Sequence, residues 1–274
     1  MLSFRATVLH LMRRQWRWHV PLAVATLMFL AACAGPGPKE LLIDRSINAK
    51  SQDSRVEMVV LHYTATTNEA SLKILSEQNV SSHYLITDAP RPVVYQLVDE
   101  NRRAWHAGAS QWYGRTDINA ASIGIEIVNP GGNGTSWSPY TDAQIDTVIT
   151  LLHDIVGRHQ IKPHNIVGHS DIAPQRKVDP GPLFPWKRLA DAGLGRWYSE
   201  ALKQKYEQEF LQNGLPDIAW VQSELIRAGY AVETHGILDK ATRNVVAAFQ
   251  MHYRPARYDG IPDAETMAIL KALH

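Results

Sequence analysis

Residues 167–181 carry a histidine, a lysine and an aspartate in one loop bounded by proline and glycine, directly behind the apolar pair Ile166 and Val167. A loop held out by a buried strand is where functional side chains concentrate. Polar loops contain such residues by chance as well, so one segment of this kind decides little. A second, distant one adds weight: Val59, Val60 and Leu61 form a buried-strand run that ends directly in His62, followed by Tyr63 and Thr64. Two histidines and one aspartate at strand ends suit a zinc site with three protein ligands and a fourth position open to water.

The elements that must position these groups alternate along the chain. Residues 56–61 read as an apolar strand and 69–78 as a helix with Leu72 and Leu75 on one face. Residues 84–87 and 93–98 read as strands joined across the Pro-containing turn 88–92. Ile123, Ile125 and Ile127 then alternate with Gly124 and Glu126, which puts Glu126 on the opposite face from three isoleucines. After a Gly- and Asn-rich loop at 129–134, Thr141 and Gln144 form a capping box. Behind it Ile145, Val148, Ile149, Leu152, Ile155 and Val156 recur at helical spacing, which predicts a long amphipathic helix on the sheet. Strands interleaved with helices define an α/β domain over residues 45–189, a mixed central sheet flanked by helices.

The first 32 residues hold Arg5, Arg13, Arg14 and Arg17 but no acid, and then an apolar run over 20–32 that is short for a bilayer span. This is the pattern of a secretory signal. It closes on Leu30, Ala31, Ala32 and Cys33, which resembles the lipobox at which bacterial lipoproteins are cleaved and lipidated. Cys33 is the only cysteine in the chain, so with it committed to lipid no disulfide forms within the chain and no thiolate is left to bind metal. Ala34, rather than an aspartate, follows it, which by the same resemblance favours the outer membrane. Residues 33–44 then serve as a lipidated tether. The whole chain has a formal net charge of +1, and without the four signal arginines the remainder is net acidic. There is no polybasic case for nucleic acid.

Beyond residue 189 the composition shifts, and Gly193, Gly195 and the charged run 200–207 read as a linker with some helix over 190–212. Residues 213–274 contain an internal echo. Gly236, Asp239 and Thr242 recur 24 positions later as Gly260, Asp263 and Thr266, each set opening a helical pattern behind an N-capping aspartate. With a helix that starts at Pro216, runs through Trp220, Leu225 and Ile226 and ends near Gly229, this predicts a second, small all-α domain of three helices.

Five motifs occur in order: strand-His62-Tyr63-Thr64, Ser82-His83-Tyr84-Leu85-Ile86, Trp105-His106-Ala107-Gly108, Ile123-Gly124-Ile125-Glu126, and Gly168-His169-Ser170-Asp171 through Lys177-Val178-Asp179-Pro180-Gly181. Together they resemble the type 2 zinc-dependent N-acetylmuramoyl-L-alanine amidases, relatives of the peptidoglycan recognition proteins. Residues 213–274 resemble a three-helix peptidoglycan-binding domain, and the lipobox is similar to that of lipid-anchored enterobacterial members. The resemblance implies that His62, His169 and Asp179 ligate Zn²⁺. It implies Glu126 as general base toward the attacking water and Lys177 as stabiliser of the developing oxyanion. It places His83, Trp105 and His106 in the substrate cleft. His153, His159 and His164 lie on or just after the long helix and read as solvated or packing residues; none belongs to a His-Glu-x-x-His pair.

The implied activity is hydrolysis of the amide between N-acetylmuramic acid and L-alanine in peptidoglycan or muropeptides, for cell-wall turnover or recycling. It would be carried out by a monomer anchored in the outer membrane and facing the periplasm. A non-catalytic peptidoglycan recognition module is the competing class, although such relatives typically lack a ligand; a zinc peptidase acting on the stem peptide is a further alternative. Truncation after about residue 210 is expected to leave cleavage of small muropeptides largely intact while weakening binding to whole sacculi.

Overall fold

The apolar run ending in His62 forms the central strand β1 (Met58–Tyr63) of a five-stranded sheet. The computed structural model describes residues 41–132 and 136–273; the expected signal, Cys33 and most of the tether lie outside the described residues. Residues 41–52 hold no helix or strand, and residues from 53 onward make up one compact unit. After β1 come helix α1 (Asn68–Glu77), strands β2 (Tyr84–Ile86) and β3 (Val94–Gln96), the short helix α2 (Ile118–Ala121), β4 (Ser122–Ile127) and the long helix α3 (Asp142–His159). Then follow β5 (Ile166–Gly168), α4 (His169–Ile172) and α5 (Trp186–Asp191). The chain closes with α6 (Glu200–Asn213), α7 (Ile218–Ala228), α8 (Lys240–Tyr253) and α9 (Ala264–Ala272). The strand order is β3-β2-β4-β1-β5, with β3 antiparallel to β2 and the other pairs parallel.

Side chains alternate across a strand, and partners in a parallel register share a face. One face presents Val59, Leu61, Ile123, Ile125 and Ile127, which pack with Ile145, Val148, Leu152 and Ile155 of α3 in one apolar cluster. That helix begins at the expected capping box, Thr141 accepting from the Gln144 backbone and the Gln144 side chain accepting from the Thr141 backbone. The other face presents Met58 and Val60 next to Val167 and joins a second cluster with Val221, Leu225, Val245 and Phe249 of the C-terminal helices. Both faces of the parallel core are thus covered, as such sheets require.

The C-terminal region is helical: among the described residues, 213–274 hold three helices, α7 to α9, and α6 fills most of the stretch read as a linker with some helix. Only Phe210 of α6 is buried, and Lys203 bridges to Glu265 at 2.9 Å while Lys271 reaches Glu209 at 3.2 Å. With Phe210 as its one buried apolar side chain and Tyr206 partly buried beside it, the helix shows little apolar periodicity. The echoed loops are built alike: Asp239 and Asp263 accept from the backbones of Thr242 and Thr266 at 2.8 and 2.9 Å. A buried glutamine closes each loop. Gln222 accepts from Gly236 N–H at 2.8 Å and donates to the Thr242 hydroxyl at 3.0 Å; Gln250 accepts from Gly260 N–H at 2.9 Å and donates to the Thr266 hydroxyl at 3.0 Å.

Candidate metal centre and hydrolytic cleft

In the β1–β4 register Val60 faces Gly124 and His62 faces Glu126. The alternation read from the three isoleucines therefore turns Glu126 to the same side as His62. On the far edge of β1, Gly168 ends β5 and His169 opens α4. The Ser170 N–H donates to the carbonyl of Asp179 at 2.8 Å, which folds the loop back so that Asp179 meets the histidines. His62 and His169 are 2 % exposed and Asp179 6 %.

The three side chains converge on one point. His62 Nδ1 lies 3.0 Å from His169 Nδ1 and 3.0 Å from Asp179 Oδ2, and His169 Nδ1 lies 3.1 Å from the same oxygen. Among the described residues this is the one His/Cys/Asp/Glu group of metal-binding geometry. Tetrahedral zinc with bonds of about 2.0–2.2 Å separates its ligand atoms by roughly 3.3–3.5 Å. A small outward adjustment of these atoms meets that spacing.

The ring nitrogens away from the cluster fix the tautomers. His169 Nε2 donates to the carbonyl of Ala107 at 3.0 Å, leaving the Nδ1 lone pair to the cluster. His62 Nε2 faces His106 Nδ1 at 3.0 Å, and His106 Nε2 faces the Ser122 hydroxyl at 3.2 Å. That hydroxyl donates to Ile118 O at 2.6 Å, so it accepts from His106, and His106 in turn accepts from His62. The chain of donors leaves His62 Nδ1 unprotonated. Burial, followed by the nearby His169, pushes the His62 pKa down to about 4 against the pull of Asp179. Burial alone would raise Asp179, yet hydrogen bonds and charge from His169 and His62 hold it well below the usual carboxylate range. Neutral imidazoles beside an ionised carboxylate are the donor set a zinc ion takes.

A cleft of about 380 Å³ opens on this cluster, lined by Glu126, Trp105, His106, Arg176 and Lys177 besides the three converging residues. Desolvation raises the Glu126 carboxyl well above its ordinary range, Asp179 adds to the rise and Lys177 opposes it. Its Oε2 is buried without a hydrogen-bond partner among the described residues. Trp105 is 52 % exposed at the rim, with the Arg103 guanidinium 4.0 Å over its ring.

His83 does not line the cleft as expected. Its Nδ1 accepts from Gly124 N–H at 3.0 Å and its Nε2 donates to Arg102 O at 3.0 Å, so both ring nitrogens are spent inside the fold. His106 does border the cleft, but its ring nitrogens serve His62 and Ser122. Arg176 was missed by sequence reasoning. It donates to Ala109 O from Nε at 2.9 Å and also to Ala107 O, and so braces the turn whose carbonyl orients His169. A lone loop arginine carries no signal of that contact.

The family profile described as N-acetylmuramoyl-L-alanine amidase matches residues 52–182, and one for a peptidoglycan binding domain matches residues 214–270. N-acetylmuramoyl-L-alanine amidase AmiD of Escherichia coli (strain K12) is 42% identical over 263 residues, covering 91% of this chain and 95% of that protein. The crystal structure of AmpDh3 from Pseudomonas aeruginosa superposes with a TM-score of 0.80 at 40% identity, over 85% of this chain and 98% of that one. The complex of Escherichia coli AmiD with anhydro-N-acetylmuramic acid-L-Ala-D-gamma-Glu-L-Lys superposes with a TM-score of 0.76 at 41% identity, over 84% and 93%.

Proposed function

This chain belongs to the N-acetylmuramoyl-L-alanine amidase family, and we infer that it hydrolyses the amide between the lactyl group of N-acetylmuramic acid and L-alanine of the stem peptide. The observation that carries the reading is the convergence of two Nδ1 atoms and Asp179 Oδ2 within 3.1 Å, with the unpartnered Glu126 Oε2 on the same face of the sheet.

We propose that His62, His169 and Asp179 hold Zn²⁺. Bound there, the ion supplies Lewis acidity that polarises the scissile carbonyl and makes a water acidic enough to be deprotonated near neutral pH. Glu126 takes the proton of the attacking water, since its carboxylate borders the cleft with one oxygen uncommitted and a pKa raised toward that task. It then delivers that proton to the leaving L-alanine nitrogen. Lys177, which lines the cleft, supplies a positive charge for the carbonyl oxygen as the centre becomes tetrahedral. Trp105 offers an exposed indole face on which a sugar ring or peptide can stack. His106 acts through His62 rather than on substrate.

Anhydromuramyl peptides are the substrate class that the AmiD and AmpDh3 complexes suggest. We further propose that Cys33 is lipidated and tethers the enzyme to the outer membrane with its cleft facing the periplasm. Mass spectrometry of a digested disaccharide-peptide tests the reading: free disaccharide plus a peptide with a new L-alanine amino terminus is expected. New reducing sugar ends, or an amino terminus inside the peptide, would replace it with a glycosidase or a peptidase.

A further inference from the structure

Asp171 is fully buried, two residues after His169 in the short helix that His169 opens. Its carboxylate has three short partners. Oδ2 accepts from the Gly168 backbone N–H at 2.8 Å and from His252 Nδ1 at 2.8 Å, while Oδ1 accepts from the Tyr230 hydroxyl at 2.7 Å. Gly168 and Asp171 belong to the turn that carries the ligand. Tyr230 and His252 belong to the C-terminal helical region, the part matched by the peptidoglycan binding domain.

Neither partner is loosely held. The His252 ring stacks on Trp186 with centroids 3.8 Å apart and an interplanar angle of 12°, and on Tyr253 at 4.1 Å and 17°. Tyr230 packs edge-on against Trp112 at 5.1 Å and against Phe249 at 6.0 Å. Trp186 and Pro180, the residue after Asp179, in turn wall in Gly168: a Cβ there would meet Pro180 Cδ at 2.7 Å and the Trp186 ring at 3.1 Å. Apolar contact would suffice to glue helices to a sheet. A fully buried carboxylate is costly to bury, and here it ties the Gly168 N–H of the turn to Tyr230 and His252 of the C-terminal helices through directional bonds.

We propose that Tyr230 and His252 are positioning residues for His169, acting through Asp171, so that the C-terminal helices complete the metal site as well as any contact they make with the cell wall. This rests on the reading of His169 as a zinc ligand. It reverses the expectation that truncation after about residue 210 largely spares small muropeptides, because the cut would remove Tyr230 and His252 and leave Asp171 only the Gly168 N–H.

The test uses the full chain, with zinc affinity measured by competition against a chromophoric chelator and the site geometry read from the visible spectrum of the Co²⁺-loaded protein. Tyr230→Phe and His252→Leu are expected to weaken zinc binding roughly 10–100-fold, the usual effect of removing support behind a ligand, and to alter the cobalt bands. His252→Asn, which keeps a donor near the Nδ1 position, should recover most of the loss. Leu270→Ala, a core change in the last helix, should lower thermal stability but leave affinity and spectrum alone. Folded Tyr230→Phe and His252→Leu variants with parental affinity and spectrum would overturn the proposal; should His252→Leu not fold, Tyr230→Phe, lacking a single oxygen, decides by itself. A parent chain that binds no zinc would instead overturn the metal site itself, and this inference with it.

Discussion

His62 and Glu126 are register partners on adjacent parallel strands, and their side chains leave the sheet on the same side. One is committed to the ligand cluster and the other keeps an oxygen free. The strand pairing itself therefore sets the spacing between His62 and Glu126, the proposed metal ligand and proposed base, without a loop in between. Glu126→Gln should fold, keep its zinc and lose turnover by roughly 10²-fold or more, as loss of a general base does. Zinc content and steady-state rates on one preparation check this; parental turnover would place the base elsewhere.

Removing the metal should abolish activity, and added Zn²⁺ should restore it. Asp179→Ala leaves His62 Nδ1 and His169 Nδ1 facing each other without the anion they share. Its zinc affinity should fall too far for equilibrium dialysis at micromolar metal to detect binding.

Gly124 has no room for a side chain. A Cβ there would lie 2.5–2.8 Å from the ring of His106. Gly124→Ala must push that ring off His62 Nε2, at a cost of about 1–3 kcal/mol in stability and roughly 10–100-fold in zinc affinity. Denaturant titration and chelator competition read the two effects separately.

Glu100 links the loop after β3 to the end of α3, accepting from Tyr84 at 2.6 Å, His159 at 2.8 Å and Arg158 Nη2 at 2.9 Å. Burial would raise its carboxyl, but the hydrogen bonds from Arg158, Tyr84 and His159 outweigh that and bring it down to about 2. The folded value lies below the unfolded one, so this contribution is complete above about pH 4.5 and fades as pH falls toward 2. Glu100→Gln should cost about 1–2 kcal/mol at neutral pH, a figure tempered by Arg158 being 42 % exposed. The difference from the parent should shrink across pH 4.5 to 2 in a series of thermal melts.

Cys33→Ser should release the protein from the membrane fraction into the soluble periplasmic fraction. A variant still found with the outer membrane would rule out the proposed anchor.

Much of this was legible in local sequence because the signals are periodic. The isoleucine alternation oriented Glu126, the Thr141/Gln144 pair marked the start of α3, and the repeated Gly and Asp positions marked two helix caps. What was not legible depends on contacts between distant positions. The cluster joins residues 107 and 117 positions apart, and only the family resemblance, not spacing, selected Asp179. His83 looked like a cleft residue because a motif gives no direction for a ring, and its two inward bonds are made to backbone groups 41 and 19 positions away. Nothing near Asp171 in the chain points to Tyr230 or His252.

The two glutamine-closed loops overlap in an instructive way. Helix α8 supplies both Thr242, which seats the first loop, and Gln250, which closes the second, and it also bears His252. The two units are therefore interleaved rather than strung end to end. Inserting or deleting one unit ahead of His252 would carry it away from Asp171. The spacing of the two loops up to His252 is therefore tied to the contact with Asp171.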